Sequence, residues 1–187
     1  MPKIAEIEFT PNPNAKRFVL KEPITTGTAR SYDSSAGAAD DPLARELFAI
    51  PHVTEVYYVD RYLTVVQDGA AAWSELERAL AVPIRAADAQ ALQKAFATPA
   101  AAKLSPDDLS ELDRGRLERI NALLDERVRP ALMMDGGGLE VVGFSGNTLQ
   151  IHYMGACGTC PSSITGTMAG IEALLQTIEP ALQVVAV

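Results

Sequence analysis

The chain has 187 residues, of which 48% are hydrophobic and 21% are charged, and its formal net charge is -8. This is the composition of a globular protein long enough for two small domains, and no apolar run approaches the roughly 20 residues that would cross a bilayer. No lysine or arginine follows Arg129, so the C-terminal part offers no cationic surface to phosphate groups. We therefore expect no binding of nucleic acid there.

The first residues and the cysteine count indicate the compartment. The stretch MPKIAEIEF has neither the apolar region of a secretion signal nor the serine- and arginine-rich composition of a transit peptide. The two cysteines of the chain are too few for a framework of disulfides. We expect a cytoplasmic protein, with a processed organellar protein as the alternative.

A first domain is predicted at residues 1–97, a linker at 98–105 and a second domain at 106–187. Within the first domain, apolar runs bounded by turn residues predict strands, and apolar residues at helical spacing predict helices. Asp41 before Pro42 has the pattern of an N-cap and a first helical residue. Strands are expected at residues 4–9, 17–20, 53–59 and 62–67, and helices at 42–49, 73–80 and 87–96.

The second domain is predicted to begin with a helix. Ser105 and Pro106 have the pattern of a helix start, and acidic residues follow them. Gly115 is expected to interrupt this helix and Pro130 to end it. An apolar stripe at helical spacing marks its buried face, namely Leu117, Ile120, Leu124 and Val128.

The rest of the second domain is predicted to be a small sheet with one more helix. The sequence DGGG at residues 135–138 is expected to be a flexible turn, and SGN at 145–147 has the pattern of a hairpin turn. Strands are predicted at residues 139–144, 148–153 and 182–187, and a helix at 161–178. The order helix, strand, strand, helix, strand predicts an α+β fold, with two small α/β-sandwich domains joined by a short linker.

Both cysteines of the chain, Cys157 and Cys160, lie in the stretch GACGTCPSS. Pro161 favours the first position of the next helix, so Cys160 falls at or near the N-cap. The unpaired amide groups and the dipole of a helix start lower the pKa of a thiol placed there. In a cytosolic chain this C-x-x-C motif indicates a metal or redox site, and it supplies two of the four thiolates that a soft metal centre takes.

Symmetry can supply the missing pair of ligands. A two-fold axis relating two copies of the chain would bring Cys157 and Cys160 together with their mates, and four thiolates can hold an iron–sulfur cluster. Four ligands within one buried chain suit the retention of a cluster, whereas two from each of two chains suit its transfer. We therefore expect an exposed site in which neither thiol belongs to the core.

The sequence around the cysteines resembles the C-terminal domain of the NifU-like (Nfu) iron–sulfur scaffold proteins. The likeness covers residues 120–187 and rests on RPALMMDGGGLEVVGF and GACGTCPSS. The first segment resembles the N-terminal domain found with it, through TPNPNAKRF, DDPLARELFAIPHVTEVYYVDRYLTVV and WSELERAL. The resemblance implies a carrier that binds a 4Fe–4S cluster, with 2Fe–2S as the alternative, between two subunits and transfers it to apo-proteins. By position, Cys157 and Cys160 are its ligands.

The resemblance also implies the partners of the protein. These are a second copy of the chain, apo iron–sulfur client proteins and upstream assembly factors, whereas nucleic acid and membranes are not expected. Because no acid–base pair, oriented nucleophile or nucleotide loop is evident, we expect a protein that is not an enzyme. Gly138 departs from the family, which often has an acidic residue after Asp-Gly-Gly, and it is expected to loosen the turn.

Two other functions stay open from the residues alone. A thiol–disulfide oxidoreductase also has a C-x-x-C motif before a helix, although a thioredoxin-like fold would place more elements after the motif. A zinc-bridged structural dimer would use the same four thiolates. His152 lies five residues before Cys157, but strand alternation turns it away from the core, so it is predicted to be a surface residue and not a third ligand.

Overall fold

The computed structural model describes residues 2–95, 104, 109–159 and 166–187. The chain divides into two compact units, Met1–Ala100 and Ala101–Val187, and each has its own hydrophobic core. Both units combine helices with a sheet, so the predicted α+β class is confirmed. The predicted linker lies outside the described residues apart from Leu104, and the domain boundaries stay a prediction. Within the described ranges, no helix has both the length and the apolar character needed to span a bilayer.

The N-terminal unit is an antiparallel sheet with helices packed on it. Its strand order is β1-β2-β5-β4-β3. The elements are β1 (Ile4–Phe9), β2 (Ala15–Leu20), β3 (Arg30–Tyr32), α1 (Pro42–Phe48), β4 (Val53–Val59), β5 (Tyr62–Gln67), α2 (Trp73–Ala86) and α3 (Ala89–Ala95). The strands predicted at 53–59 and 62–67 have the predicted bounds, whereas the helix predicted at 73–80 continues through Pro83.

The start of α1 is fixed by a buried carboxylate. Asp41 is 1% exposed and accepts a hydrogen bond from the N–H of Ala44 at 3.0 Å, while Pro42 occupies the first turn as predicted. The same carboxylate accepts hydrogen bonds from the hydroxyls of Tyr32, at 2.9 Å, and Tyr58. Burial and the Asp41 charge raise the pKa of Tyr32 far above its usual value. This network joins α1 to strands β3 and β4.

The C-terminal unit is a three-stranded sheet with helices packed on it. Strands β6 and β7 form an antiparallel hairpin, and β8 pairs with β7 in parallel. The elements are α4 (Glu111–Leu123), a π-helical turn (Leu124–Val128), α5 (Arg129–Met134), β6 (Gly137–Ser145), β7 (Thr148–Gly155), α6 (Met168–Leu175) and β8 (Gln183–Ala186). The helix starts predicted at Ser105–Pro106 and at Pro161 lie outside the described residues.

Two breaks predicted in the first helix of this unit are wrong. Gly115 lies inside α4, whose described start is capped by Ser110 through the N–H of Asp113 at 3.1 Å. Pro130 does not end the helix, because it occupies the first turn of α5 directly after the π-helical turn. A proline is tolerated in a first turn, where its missing N–H would have no partner in the helix. The chain therefore stays helical to Met134.

The helices and the hairpin enclose the core of the C-terminal unit. The predicted helical stripe is confirmed at Ile120, Leu124 and Val128, which are buried, and Leu117 packs at their edge. The sheet contributes a further set of buried side chains, namely Leu139, Val141, Phe144, Leu149, Ile151, Tyr153 and Val184. Cys157 belongs to the same cluster, so the chain turns back into the core after β7.

Candidate metal-binding site

The cysteine loop begins where β7 ends. Gly155, the last residue of the strand, has a φ of +63°, a left-handed conformation that glycine adopts without strain. The N–H of Gly158 donates to the carbonyl of Gly155 at 3.0 Å, and the N–H of Ala156 donates to the carbonyl of Gly136 at 3.2 Å. The first bond closes a tight turn, and the second connects this turn to Gly136, the residue before β6. The backbone on both sides of Cys157 is thus fixed.

The side chain of Cys157 is buried, contrary to the sequence-based expectation. It is 1% exposed and packs within the hydrophobic core cluster of the C-terminal unit. A thiol behaves as a small apolar group, so it can fill a gap in a core without the penalty that a charged ligand would carry. For Cys157 to bind a metal outside the chain, the loop or the residues that cover it must move.

Gly137 provides the space that Cys157 occupies. A Cβ atom at this position would lie 2.6 Å from the Cys157 Sγ atom and 2.5 Å from the carbonyl oxygen of Met154. Both distances are far below van der Waals contact. The expected flexible turn is also wrong here, since Gly137 and Gly138 belong to β6 and pair with the end of β7. Gly136, with a φ of +84°, makes the turn.

A tyrosine hydroxyl lies buried near the thiol. Tyr153 lies opposite Leu139 in the hairpin and packs in the same core cluster as Cys157. Its hydroxyl oxygen is inaccessible to solvent and has no hydrogen-bond partner in the described part of the chain. Burial, and then the charge of the nearby Cys157, raise the pKa of Tyr153 to about 12. The phenol therefore stays protonated beside the thiol and is available as a donor.

The other predicted site residues have different outcomes. Cys160 lies outside the described residues, so its role as a ligand stays a prediction. His152 lies opposite Glu140 in the hairpin, and its Nδ1 atom lies 2.9 Å from the carbonyl oxygen of Val187. The imidazole ring thus contacts the residue that follows β8. In the described part of the chain, no three His, Cys, Asp or Glu side chains converge as a metal site.

Sequence reasoning found the cysteines but missed Gly137 and Tyr153 as parts of the site. The C-x-x-C motif is visible because its spacing is local. The place of Gly137 follows only from the register that sets it opposite Gly155, next to the returning loop. Tyr153 lies on the buried face of β7 with Leu149 and Ile151, and no local sequence pattern shows that its hydroxyl lacks a partner among the described residues.

Two family models match the chain. One, described as NifU-like domain, matches residues 120–185, which include both cysteines. The other, described as scaffold protein Nfu/NifU N terminal, matches residues 4–90. The two matches follow one another along the chain without overlap, and one falls in each compact unit.

Curated relatives show the same likeness over nearly the whole chain. The chain is 31% identical over 181 residues to the human protein named NFU1 iron-sulfur cluster scaffold homolog, mitochondrial, and the match covers 95% of this chain and 69% of the human one. It is 29% identical over 172 residues to NifU-like protein 5, mitochondrial, of Arabidopsis thaliana, with coverages of 91% and 62%. The chain is thus shorter than either relative. Among solved structures, protein SAV1430 from Staphylococcus aureus covers 43% of this chain and 96% of its own, with a TM-score of 0.37 and 20% identity.

Proposed function

The chain belongs to the Nfu/NifU family of scaffold proteins, and from that premise we propose that it carries an iron–sulfur cluster and delivers it to apo-proteins. The human relative is named as an iron–sulfur cluster scaffold, which supports the proposal that an iron–sulfur cluster is what this chain carries. The observation that carries the proposal is the match of the NifU-like domain over the segment that contains Cys157 and Cys160.

We propose further that the cargo is a 4Fe–4S cluster held between two copies of the chain, with 2Fe–2S as the alternative. Cys157 and Cys160 of each copy supply the thiolates, since each chain offers half of the usual set of four. A cluster shared in this way is released when the two copies separate. Its transfer is then an exchange of ligands with a client protein, and no bond chemistry by the chain is required.

The geometry of the loop adds a condition to this function. Cys157 is buried over Gly137 in the single chain, so loading requires the loop or its cover to open. The core in turn protects the empty chain, because a buried thiol is shielded from oxidants and stray metals. We propose that opening of the loop is coupled to the docking of the second copy.

The proposed function is tested by anaerobic reconstitution with iron and sulfide. We expect a brown protein with about four irons for every two chains, which then activates an apo 4Fe–4S protein. Cys157→Ser and Cys160→Ser variants should each fail to assemble the cluster, because a hydroxyl is a poor ligand for iron. The matched control is Ser145→Ala in the hairpin turn, remote from the cysteine loop.

The same preparation also tests the two alternative functions, the zinc-bridged dimer and the thiol–disulfide oxidoreductase. A colourless dimer that holds zinc would favour the structural bridge. A colourless monomer that reduces insulin disulfides would favour the oxidoreductase. A full cluster on Cys160→Ser would contradict the assignment of ligands.

The location of the protein is proposed as the cytoplasm, as its sequence predicts. The names of both relatives place them in mitochondria, which supports the organellar alternative. Fractionation of the source cell with an antibody against the chain decides between the two compartments.

A further inference from the structure

Tyr153 carries a buried hydroxyl whose hydrogen-bonding capacity is not used. The residue is 6% exposed, and its oxygen makes no hydrogen bond among the described residues. A buried hydroxyl without a partner destabilises a fold, and a phenylalanine of the same shape would avoid that penalty. The hydroxyls of two other tyrosines, the half-buried Tyr32 and the buried Tyr58, both donate hydrogen bonds to Asp41. Tyr153 therefore departs from the pattern of its own chain.

The surroundings of Tyr153 narrow the choice of an acceptor. Its neighbours in the core are apolar side chains, and Leu139 lies directly across the hairpin. Among the described members of this cluster, the polar exception is Cys157. Its Sγ atom lies against Gly137, two residues from the Leu139 that pairs with Tyr153. A neutral thiol is a weak acceptor, whereas a thiolate is a strong one.

We propose that the hydroxyl of Tyr153 donates a hydrogen bond to the Cys157 sulfur when that sulfur is a thiolate bound to the cluster. This inference rests on the proposed function. Tyr153 is a positioning residue, since it acts through Cys157 and does not itself bind iron. The backbone hydrogen bonds of Ala156 and Gly158 hold the backbone of Cys157 next to the end of β7, two residues beyond Tyr153.

The inference predicts opposite effects of one substitution on the empty and the loaded protein. In Tyr153→Phe the unpaired hydroxyl is gone, so the empty protein should become more stable. The loaded protein should hold its cluster less well, because the thiolate has lost a donor. Hydrogen bonds to cluster sulfurs also raise the reduction potential, so the potential should become more negative. A purely structural tyrosine would not produce this combination.

The experiment compares the full-length wild type, Tyr153→Phe and Tyr58→Phe. For empty Tyr153→Phe we expect a rise of about 4–8 °C in the thermal midpoint of the C-terminal unit, followed by circular dichroism. For the loaded variant we expect loss of the cluster to a chelator to be roughly fivefold faster, with a more negative potential. Tyr58→Phe removes a hydroxyl of the N-terminal unit that donates to Asp41 of the same unit, so it should lower stability and leave the cluster unchanged.

The outcomes separate this inference from the proposed function. If the wild type assembles a cluster and Tyr153→Phe retains it equally well at the same potential, Tyr153 plays no part and the inference is overturned. If empty Tyr153→Phe is less stable than the wild type, the hydroxyl has a partner in the empty protein and the inference is again overturned. If the wild type assembles no cluster, the proposed function itself fails.

Discussion

Gly137 shows how one missing side chain can shape a site. The Cys157 sulfur and the carbonyl oxygen of Met154 occupy the space that any larger residue at position 137 would need. Backbone conformation does not explain this glycine, because it lies within a regular strand. The requirement is steric, and it links the Asp-Gly-Gly stretch to the C-x-x-C motif across a gap of twenty residues in sequence.

We predict that Gly137→Ala expels Cys157 from its buried position. The added methyl group would overlap the sulfur, and overpacking of a core costs about 1–3 kcal/mol. The free energy of unfolding should fall by that amount. In a Cys160→Ser background, alkylation of Cys157 under native conditions should become roughly tenfold faster or more.

Gly115→Ala is the matched control for this substitution. Apart from the neighbouring residues and the backbone of the helix itself, no described atom lies within 4 Å of a Cβ at that position in α4, so alanine should stabilise the helix by about 0.5–1 kcal/mol. It should leave the rate of alkylation unchanged. Equal stability and equal thiol reactivity of Gly137→Ala and the wild type would show that the sulfur does not occupy this space.

The sequence predicted this site in part. Cys157 and Cys160 stand out because metal-binding spacing is a local property of the chain. The burial of Cys157 could not be predicted, since it depends on the hairpin register that sets Gly137 opposite Gly155. An exposed loop was the natural expectation for a cysteine flanked by glycines.

At the scale of elements, Arg116 joins three parts of the C-terminal unit. It lies on α4, and its guanidinium donates to the carbonyl of Gly146 at 2.8 Å in the hairpin turn. It also donates to the carboxylate of Glu179 at 3.1 Å, beyond α6, and lies 4.9 Å from the ring of Phe144. The side chain is mostly buried. Hydrogen bonds donated by a charged guanidinium are stronger than those between neutral groups, so Arg116 should contribute substantially to stability.

We predict that Arg116→Met destabilises the C-terminal unit by about 2 kcal/mol, because charged hydrogen bonds and a cation–π contact are lost together. Chemical denaturation followed by circular dichroism measures the change. Arg127→Met is the control, since Arg127 pairs with Glu126 where both side chains are about two-thirds exposed, and such pairs contribute little. A change below 0.5 kcal/mol for Arg116→Met, about the size expected for the control, would contradict the assigned role.

The elements themselves were predicted unevenly. Strands β4 and β5 have the predicted bounds because apolar runs and the turn residues that bound them are short-range signals. Gly115 misled the prediction because a residue that weakens an isolated helix is tolerated when tertiary packing holds the helix. Pro130 misled it because the proline lies in the first turn of α5, where its missing N–H is tolerated. The π-helical turn before Pro130 gives no recognisable signal in the sequence.

At the scale of the whole molecule, the two units have separate cores and separate family matches. Both cysteines fall in the part of the chain assigned to the C-terminal unit, whereas the buried Asp41 network belongs to the N-terminal one. No described group of the N-terminal unit suggests a chemistry of its own. In the proposed function, the cluster is therefore held by the C-terminal units of two copies of the chain.

The central claim is that one chain supplies half of a cluster site and that a second copy completes it. Native mass spectrometry of the anaerobically reconstituted protein tests this most directly. We predict a species of two chains with one 4Fe–4S cluster that reverts to single chains when the cluster is removed. A complete cluster on a single chain would contradict the claim, and so would a protein that takes up no iron and sulfide.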